Sequence, residues 1–416
     1  MYQVENAGQA LRSRAQLVAT RLFAPRVSRT VVMLGLTSLF TDISSEMVST
    51  ILPLYLLFHL GLTPVAFGVI DGLYQGSAAL VRIFGGAAAD RSGRHKEVAV
   101  VGYALSAVAR LGLLVVGNMW SLLPGVVLVD RLGKGIRTGP RDALISLSSP
   151  REELGAAFGV HRALDTAGAM MGPLIAFGLL VMAPGRYDAV FVVSLCAALI
   201  GLGFLTLFVQ NPPIVADVPA ERPALSLASA ARLVRVPGVA PLLLAGTVLS
   251  LVTISDAFVY LTLQHRVAFD PTFLPLLYVA TATIFMLTAV PVGRLADRLG
   301  RAWVFLAGHA LLLVVYASLL VPGGGTLRVM LALVLLGVYY AATDGVLMAL
   351  AGSALPPEMQ ASGMALLTTG TNLARLAGSI LFGVLWTWQG VGVAVALSTA
   401  GLAAALLVAL CWLRVR

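Results

Sequence analysis

The sequence predicts an all-α membrane protein, with twelve transmembrane helices in two pseudo-symmetric six-helix bundles. Three observations carry that expectation. The chain of 416 residues is 59% hydrophobic and only 11% charged, with a mean hydropathy of +0.93. A soluble chain of this length could not hide so much apolar surface. Its hydropathy resolves into twelve apolar segments, each near the ~20 residues that a bilayer requires. Finally, one charged motif occurs twice, roughly half the chain apart, each time between two long apolar runs.

In chain order the segments are 30–57, 66–89, 97–117, 119–144, 155–182 and 187–209, then 239–264, 272–296, 302–321, 326–352, 359–386 and 391–413. With no water available, each has to be a helix. Residues 1–29 form an Arg-rich, weakly amphipathic tail, expected to lie on anionic headgroups; no cleaved signal peptide is expected. Residues 30–209 make the first bundle and 239–416 the second. The Pro-, Ala- and Arg-rich stretch 210–238 reads as a linker between them. Lys and Arg set the orientation: seventeen fall on the side of the N-terminus, and only Arg186, Arg266 and Arg328 on the other. Both termini are therefore expected in the cytoplasm. The same asymmetry accounts for the net charge of +9 without a nucleic-acid partner. Cys196 and Cys411 sit in apolar runs and read as packing residues.

The repeated motif is Gly86-x-x-x-Asp90-Arg91-x-Gly93-Arg94, closing with Lys96, and Gly293-x-x-x-Asp297-Arg298-x-Gly300-Arg301. A membrane anchor would need neither the Asp nor the glycines. A duplicated bundle with a charged hairpin at the same place in each half is the layout of a secondary transporter. At these residues the chain resembles the major facilitator superfamily, over essentially its whole length. The first copy looks like that family's signature loop between helices 2 and 3, and the second like its degenerate copy between helices 8 and 9. The resemblance implies a conformational switch at Asp90, Arg91 and Arg94, with Asp297 and Arg298 as counterparts. Arg131-Leu-Gly-Lys-Gly135 resembles the family's Arg-x-x-x-Gly pattern in helix 4, which implies that Arg131 assists proton transfer. Gly168-x-x-x-Gly172-Pro173 resembles the antiporter motif of helix 5, although Ala176 and Phe177 replace the glycines that usually follow. Gly-x-x-x-Gly also lets helices approach closely in any membrane bundle. Phe40 to Met47 and Asp130 to Thr138 further resemble a little-characterised prokaryotic branch, akin to drug or metabolite:proton antiporters.

Ionisable residues at membrane depth cost roughly 2.5–3.5 kcal/mol each on insertion scales, so they are functional candidates. Asp42 and Glu46 lie four apart, on one face of helix 1. Two carboxylates together in low dielectric make a site able to load and release protons near neutral pH. On helix 4, Asp130, Lys134, Arg137 and Arg141 form one stripe, and Arg131 stands about 100° around from it. That stripe either binds an anionic substrate or neutralises Asp42, Glu46, Asp142 and Asp165. Lys134, Arg137, Asp165 and Asp256 are the candidate cavity residues; Arg141 and Asp142 are assigned to the gate. Arg162 and Asp165 form a local pair, and His161 reads as a hydrogen-bonded structural residue. In the second half Asp256, His309, Asp344 and Arg375 carry the charge, with Asp256 aimed at the cavity by pseudo-symmetry. Tyr260, Tyr278, Tyr339 and Tyr340 read as packing.

Enzyme motifs are absent from the sequence: Gly133-Lys134-Gly135 lacks the rest of a phosphate loop, and there is neither a zinc-ligand spacing nor a Gly-x-Ser-x-Gly elbow. No cofactor or metal is expected. The expected function is proton-coupled efflux of a small molecule by a monomer in a prokaryotic inner membrane. Proton-coupled uptake of an organic anion and flipping of a lipid-linked substrate are the transport alternatives, and a membrane receptor or enzyme is the alternative outside transport.

Overall fold

In hydrocarbon a backbone can bond only to itself, so each apolar segment closes its own hydrogen bonds as a helix. The structure, a computed structural model, describes residues 27–116, 119–150, 153–211, 239–321, 323, 325–355 and 360–413. The expected N-terminal tail, up to residue 26, and the linker from 212 onward lie outside the described residues.

Helix α1 (Arg29–Pro53) starts at Ser28, whose hydroxyl accepts from the Val31 amide at 3.4 Å. Pro53 removes one amide from the ladder, and directly after it the helix widens into a π-turn over Leu54–His59. The first bundle continues with α2 (Pro64–Ser92), α3 (His95–Val116), α4 (Leu123–Leu147), α5 (Leu154–Met182) and α6 (Tyr187–Phe208). The second begins with α7 (Val239–Val252) and α8 (Asp256–Val267), two halves of one span. It ends with α9 (Leu274–Leu299), α10 (Arg301–Leu320), α11 (Gly325–Ala354) and α12 (Gln360–Leu413). Helix α12 is itself two spans, turned at Gly390, whose φ of 81° suits a residue without Cβ. With α7 and α8 counted as one span and α12 as two, the described helices are consistent with twelve spans.

The break in the seventh span was not expected, because the segment as a whole is strongly apolar. Its cause is local. Ser255 takes an extended conformation and Asp256 opens the next helix, a helix-start signal inside an apolar run. The amide freed at Ile254 donates to the Tyr316 hydroxyl at 2.6 Å, so the break carries no orphan there.

Each bundle repeats one packing scheme. Helix α1 packs on α5 and α6, α4 on α2 and α3, and α3 on α6; correspondingly α12 packs on α7 and α10, and α11 on α9 and α10. Small residues set the closest approaches. A Cβ at Gly172 would stand 2.7 Å from the Ile43 carbonyl oxygen, and Gly168 abuts the α1 backbone at Leu39. The Gly-x-x-x-Gly pair of α5 is thus where α1 and α5 touch.

Two seams join the bundles: α2 against α12, and α5 against α9. Along the first, Gly68 and Gly72 leave room for the carbonyls of Ser379 and Leu376, at 2.7 and 2.8 Å from an added Cβ. Next to it Phe258 stacks edge-on against Phe67 and Phe382, with centroids 4.9 and 4.8 Å apart, and lies against Trp386. These contacts close the seam on the face opposite the linker. Toward the linker face the facing side chains are open: Asp142 is 45% exposed and Asp344 51%.

A side chain at Gly72 would push first against the Leu376 carbonyl of α12, so Gly72→Leu is expected to force the face opposite the linker apart. In a background with both native cysteines replaced, spin labels at Leu62 and Gln389 should move further apart than in the parent. An unchanged distance would mean that the glycine seam does not hold this face shut.

Candidate functional site

The interior of α1 is polar to an unusual degree: Thr37, Ser38, Thr41, Ser44, Ser45 and Thr50 are all buried. The threonines satisfy themselves along the helix; Thr37, Thr41 and Thr50 donate to the carbonyls four residues earlier at 2.9, 2.7 and 2.7 Å. The serines turn outward to meet arginines of other helices.

Those arginines converge on Asp130 of α4. Arg110 of α3 faces its carboxylate at 3.1 Å, and Arg131 pairs with the second oxygen. All three side chains are nearly fully buried. Arg110 also donates to the hydroxyls of Ser44 and Ser45, each at 3.1 Å, which ties α3 and α4 to α1. The Arg131 guanidinium lies over the Tyr74 ring of α2 at 3.6 Å, a cation–π contact. One acid thereby links four helices.

The rest of the α4 stripe divides among three neighbours. Arg137 donates to Ser106 at 2.6 Å and stacks over Tyr103 at 4.7 Å, both on α3. Expected in the cavity, it instead faces the bundle interior and is 3% exposed, because Gly102 and Gly133 bring α3 and α4 close enough to enclose it. Lys134 stands within electrostatic range of both Asp42 and Glu46. Arg141 pairs with Asp142 at 2.9 Å and faces Asp165 of α5 at 3.8 Å.

Asp42 and Glu46 share a face of α1 and the reach of Lys134, but differ in their hydrogen-bond partners. The Asp42 carboxyl lies within hydrogen-bond reach of Asp165 on α5. Lys134, Arg137, Arg141, His161 and Arg162 surround this pair. Arg162 meets Asp165 at 3.3 Å, and His161 bonds to Ser38 at 2.9 Å. Glu46 instead accepts from Ser49 at 2.8 Å and opens onto the seam between the bundles.

There a cavity of about 200 Å³ is lined by Glu46 of α1, Asp71, Tyr74 and Gln75 of α2, Asp256 of α8 and Tyr278 of α9. Ser379 of α12 donates to Asp71 at 2.6 Å across the seam, and Tyr340 donates to Asp256 at 2.5 Å. The sequence aimed Asp256 at the cavity and assigned Glu46 to a proton site with Asp42. It gave Asp71 no role, although an acid at mid-depth on α2 was a usable signal. Of the four tyrosines read as packing, Tyr260 and Tyr339 are buried among aromatic neighbours, while Tyr278 lines the cavity and Tyr340 holds Asp256. A larger hollow of about 360 Å³, lined by Arg301, Trp303 and Leu413 among others, lies away from this seam on the linker face.

The two motif hairpins are alike in backbone. Gly93 and Gly300 both take positive φ, 64° and 100°, and the next helix starts within two residues of each. In the second copy Arg301 bonds to Asp297 at 3.0 Å and to the Ala349 carbonyl of α11 at 3.1 Å. Gly293 and the exposed Arg298 take no further part in that contact. In the first, Lys96 donates to the Thr206 carbonyl at 2.8 Å and Glu97 accepts from Asn211, so the hairpin is clamped to α6. The side chains of Asp90 and Arg91 lie outside the described residues, while Gly86 falls within α2. Near the linker face the bundles carry matching pairs of opposite sense: Arg141 of α4 with Asp165 of α5, and Asp344 of α11 with Arg375 of α12 at 3.7 Å.

A repeated pair of six-helix bundles, with a cavity at their seam and a broken helix beside it, defines a membrane transporter. The chain belongs to the Major Facilitator Superfamily, whose family model matches residues 34–378 and 257–416. An uncharacterised MFS-type transporter of Methanocaldococcus jannaschii is 29% identical over 385 residues, 86% of this chain and 89% of that one. An uncharacterised protein of Mycobacterium tuberculosis is 34% identical over 194 residues, 46% of this chain and 47% of its own length. Among solved structures, the nucleoside transporter NupG superposes with a TM-score of 0.77 at 14% identity, over 93% of this chain and 99% of that one. A POT family transporter in complex with 5-aminolevulinic acid gives the same TM-score of 0.77 at 14% identity, over 94% and 98%. At such identities the likeness is one of fold.

Losing Asp130 would leave two buried guanidinium groups without their anion, at a cost of roughly 3–5 kcal/mol. Asp130→Asn is therefore expected to lower the unfolding temperature in detergent far more than Glu46→Gln, whose carboxyl borders a cavity. Equal losses would show that the Asp130 cluster is not what holds α1 to α4 together.

Proposed function

We propose that the protein is a proton-coupled antiporter that exports a small molecule by alternating access. The observation that carries this reading is the approach of Asp42 to Asp165, two carboxyls on different helices, with Lys134 in electrostatic range of both Asp42 and Glu46. A proton on the pair leaves Lys134 to Glu46 at the cavity. Loss of the proton draws Lys134 toward the pair and frees Glu46 for substrate. Proton and substrate thus compete through one lysine, which is the linkage antiport requires. Arg137, Arg141, His161 and Arg162 face the same pair and keep its ionised form tolerable at depth. Arg131, held by Asp130 and Tyr74, positions the Tyr74 wall of the cavity.

Closure of the linker face is assigned to the charged pairs at its mouth. Arg141 and Asp142 on one bundle and Asp344 and Arg375 on the other have complementary sense, so approach of the bundles would set opposite charges face to face. The motif hairpins, with Asp90, Arg91, Arg94, Asp297, Arg298 and Arg301, are assigned the same switching role. The linker face is taken as cytoplasmic because the chain's Lys and Arg concentrate there.

Two experiments test the reading. In proteoliposomes, Asp42→Asn and Asp165→Asn should each reduce pH-driven substrate movement to the passive level, while exchange at equal pH persists. Undiminished gradient dependence in both variants would remove the pair from the mechanism. Reporter fusions after residue 225 and at the C-terminus should both report cytoplasmic; a signal from the other side at either would invert the topology.

A further inference from the structure

Apart from Asp42, which meets Asp165, the acids at membrane depth fall into two groups. Asp130, Asp142, Asp165 and Asp344 each have an arginine within 4 Å. Glu46, Asp71 and Asp256 take part in no ion pair among the described residues, and these three line one cavity. Each is held by a neutral hydroxyl, from Ser49, Ser379 and Tyr340 respectively. A hydroxyl orients a carboxylate without cancelling its charge.

We propose that this cavity binds a small organic cation, an ammonium-bearing molecule held by Glu46, Asp71 and Asp256 and faced by the rings of Tyr74 and Tyr278. The assignment rests on the seam being the transport path. No Lys, Arg or His is among the lining residues. The positive charges in range are Lys134 toward Glu46, Arg375 toward Asp256 and about half a charge at the α8 N-terminus, against three carboxyl groups. Aromatic faces add attraction for ammonium that an inorganic ion, seeking a shell of oxygens, could not use. Leu52, Pro53 and Phe67 complete an apolar wall suited to the carbon part of such a molecule. At about 200 Å³ the cavity lies below the roughly 300–1,000 Å³ of sites for drug-sized ligands. The occupant is correspondingly small. An anion is disfavoured on the same grounds, since Arg110, Arg131 and Arg137 are committed inside the first bundle.

Charge-selective labelling tests this without knowledge of the natural substrate. The probe is the full chain in nanodiscs with Ala257→Cys as its single cysteine, Cys196 and Cys411 being replaced by Ser. It is reacted in parallel with a trimethylammonium and a sulfonate methanethiosulfonate of equal reach. After correction for each reagent's rate on a free thiol, the cationic reagent should react on the order of tenfold faster or more. Glu46→Gln with Asp71→Asn should bring the ratio close to one. Small primary and quaternary amines should slow labelling, whereas matched alcohols, carboxylates and sodium chloride at equal ionic strength should not. Preference for the anionic reagent, absence of labelling by either, or equal protection by alcohols or by sodium would each overturn the proposal. Should Ala257→Cys not fold, Leu52→Cys lines the same cavity and carries the same expectation. Labelling needs no gradient, so the two readings fail separately. Cation preference without pH-driven transport would sink only the antiport. Gradient-driven transport with anion preference would sink only the cation.

Discussion

Asp130 is the point through which the first bundle is held. Its carboxylate takes Arg110 from one side and Arg131 from the other. Through those two guanidinium groups it reaches Ser44 and Ser45 on α1 and the Tyr74 ring on α2. A charge at this depth has no solvent to return to, so each member holds the others in place. With that cluster fixed, Lys134 is the α4 cation left facing Asp42 and Glu46, and the cavity keeps acids without arginines of their own. The division between a rigid charged interior and a responsive acidic seam follows from it.

The charge is distributed unequally between the bundles. In the second one, a single pair near the linker face, Asp344 with Arg375, repeats what α4 and α5 do in the first with the signs exchanged. Apart from the Asp297–Arg301 pair of the second hairpin, its other described polar groups satisfy one another without ions, as Tyr260 does with Thr281 at 2.7 Å and His309 with the Phe305 carbonyl at 2.9 Å. Asp256 is the exception, and it belongs to the seam.

Much of this was legible in the sequence, for identifiable reasons. Lipid forces every long apolar segment into a helix, so the spans could be placed from hydropathy. The motif glycines announced tight hairpins, and Gly93 and Gly300 have the positive φ that only such turns need. That Asp42 and Glu46 share a helix face was equally readable. Which neighbours they meet was not, because a shared face spans an arc wide enough for two partners, and Asp165 and the seam lie on either side of it. The direction of Arg137 depended on how closely Gly102 and Gly133 let α3 and α4 approach, a tertiary distance. Asp71 gained its meaning only from Ser379, some three hundred residues away in the other bundle.

The composition of α4 also bears on how the chain enters the membrane. The helix carries Asp130, Arg131, Lys134, Arg137, Arg141 and Asp142 within 25 residues. Its ten Leu, Ile and Val residues contribute at most about 6 kcal/mol toward insertion, while each charge near the middle costs roughly 2.5–3.5 kcal/mol. Alone, α4 would be left in water. It crosses because Arg110 on α3 and the hydroxyls on α1 are already there to receive its charges. The translocation machinery must therefore hold these segments together, and release them to lipid as an assembled group rather than one helix at a time.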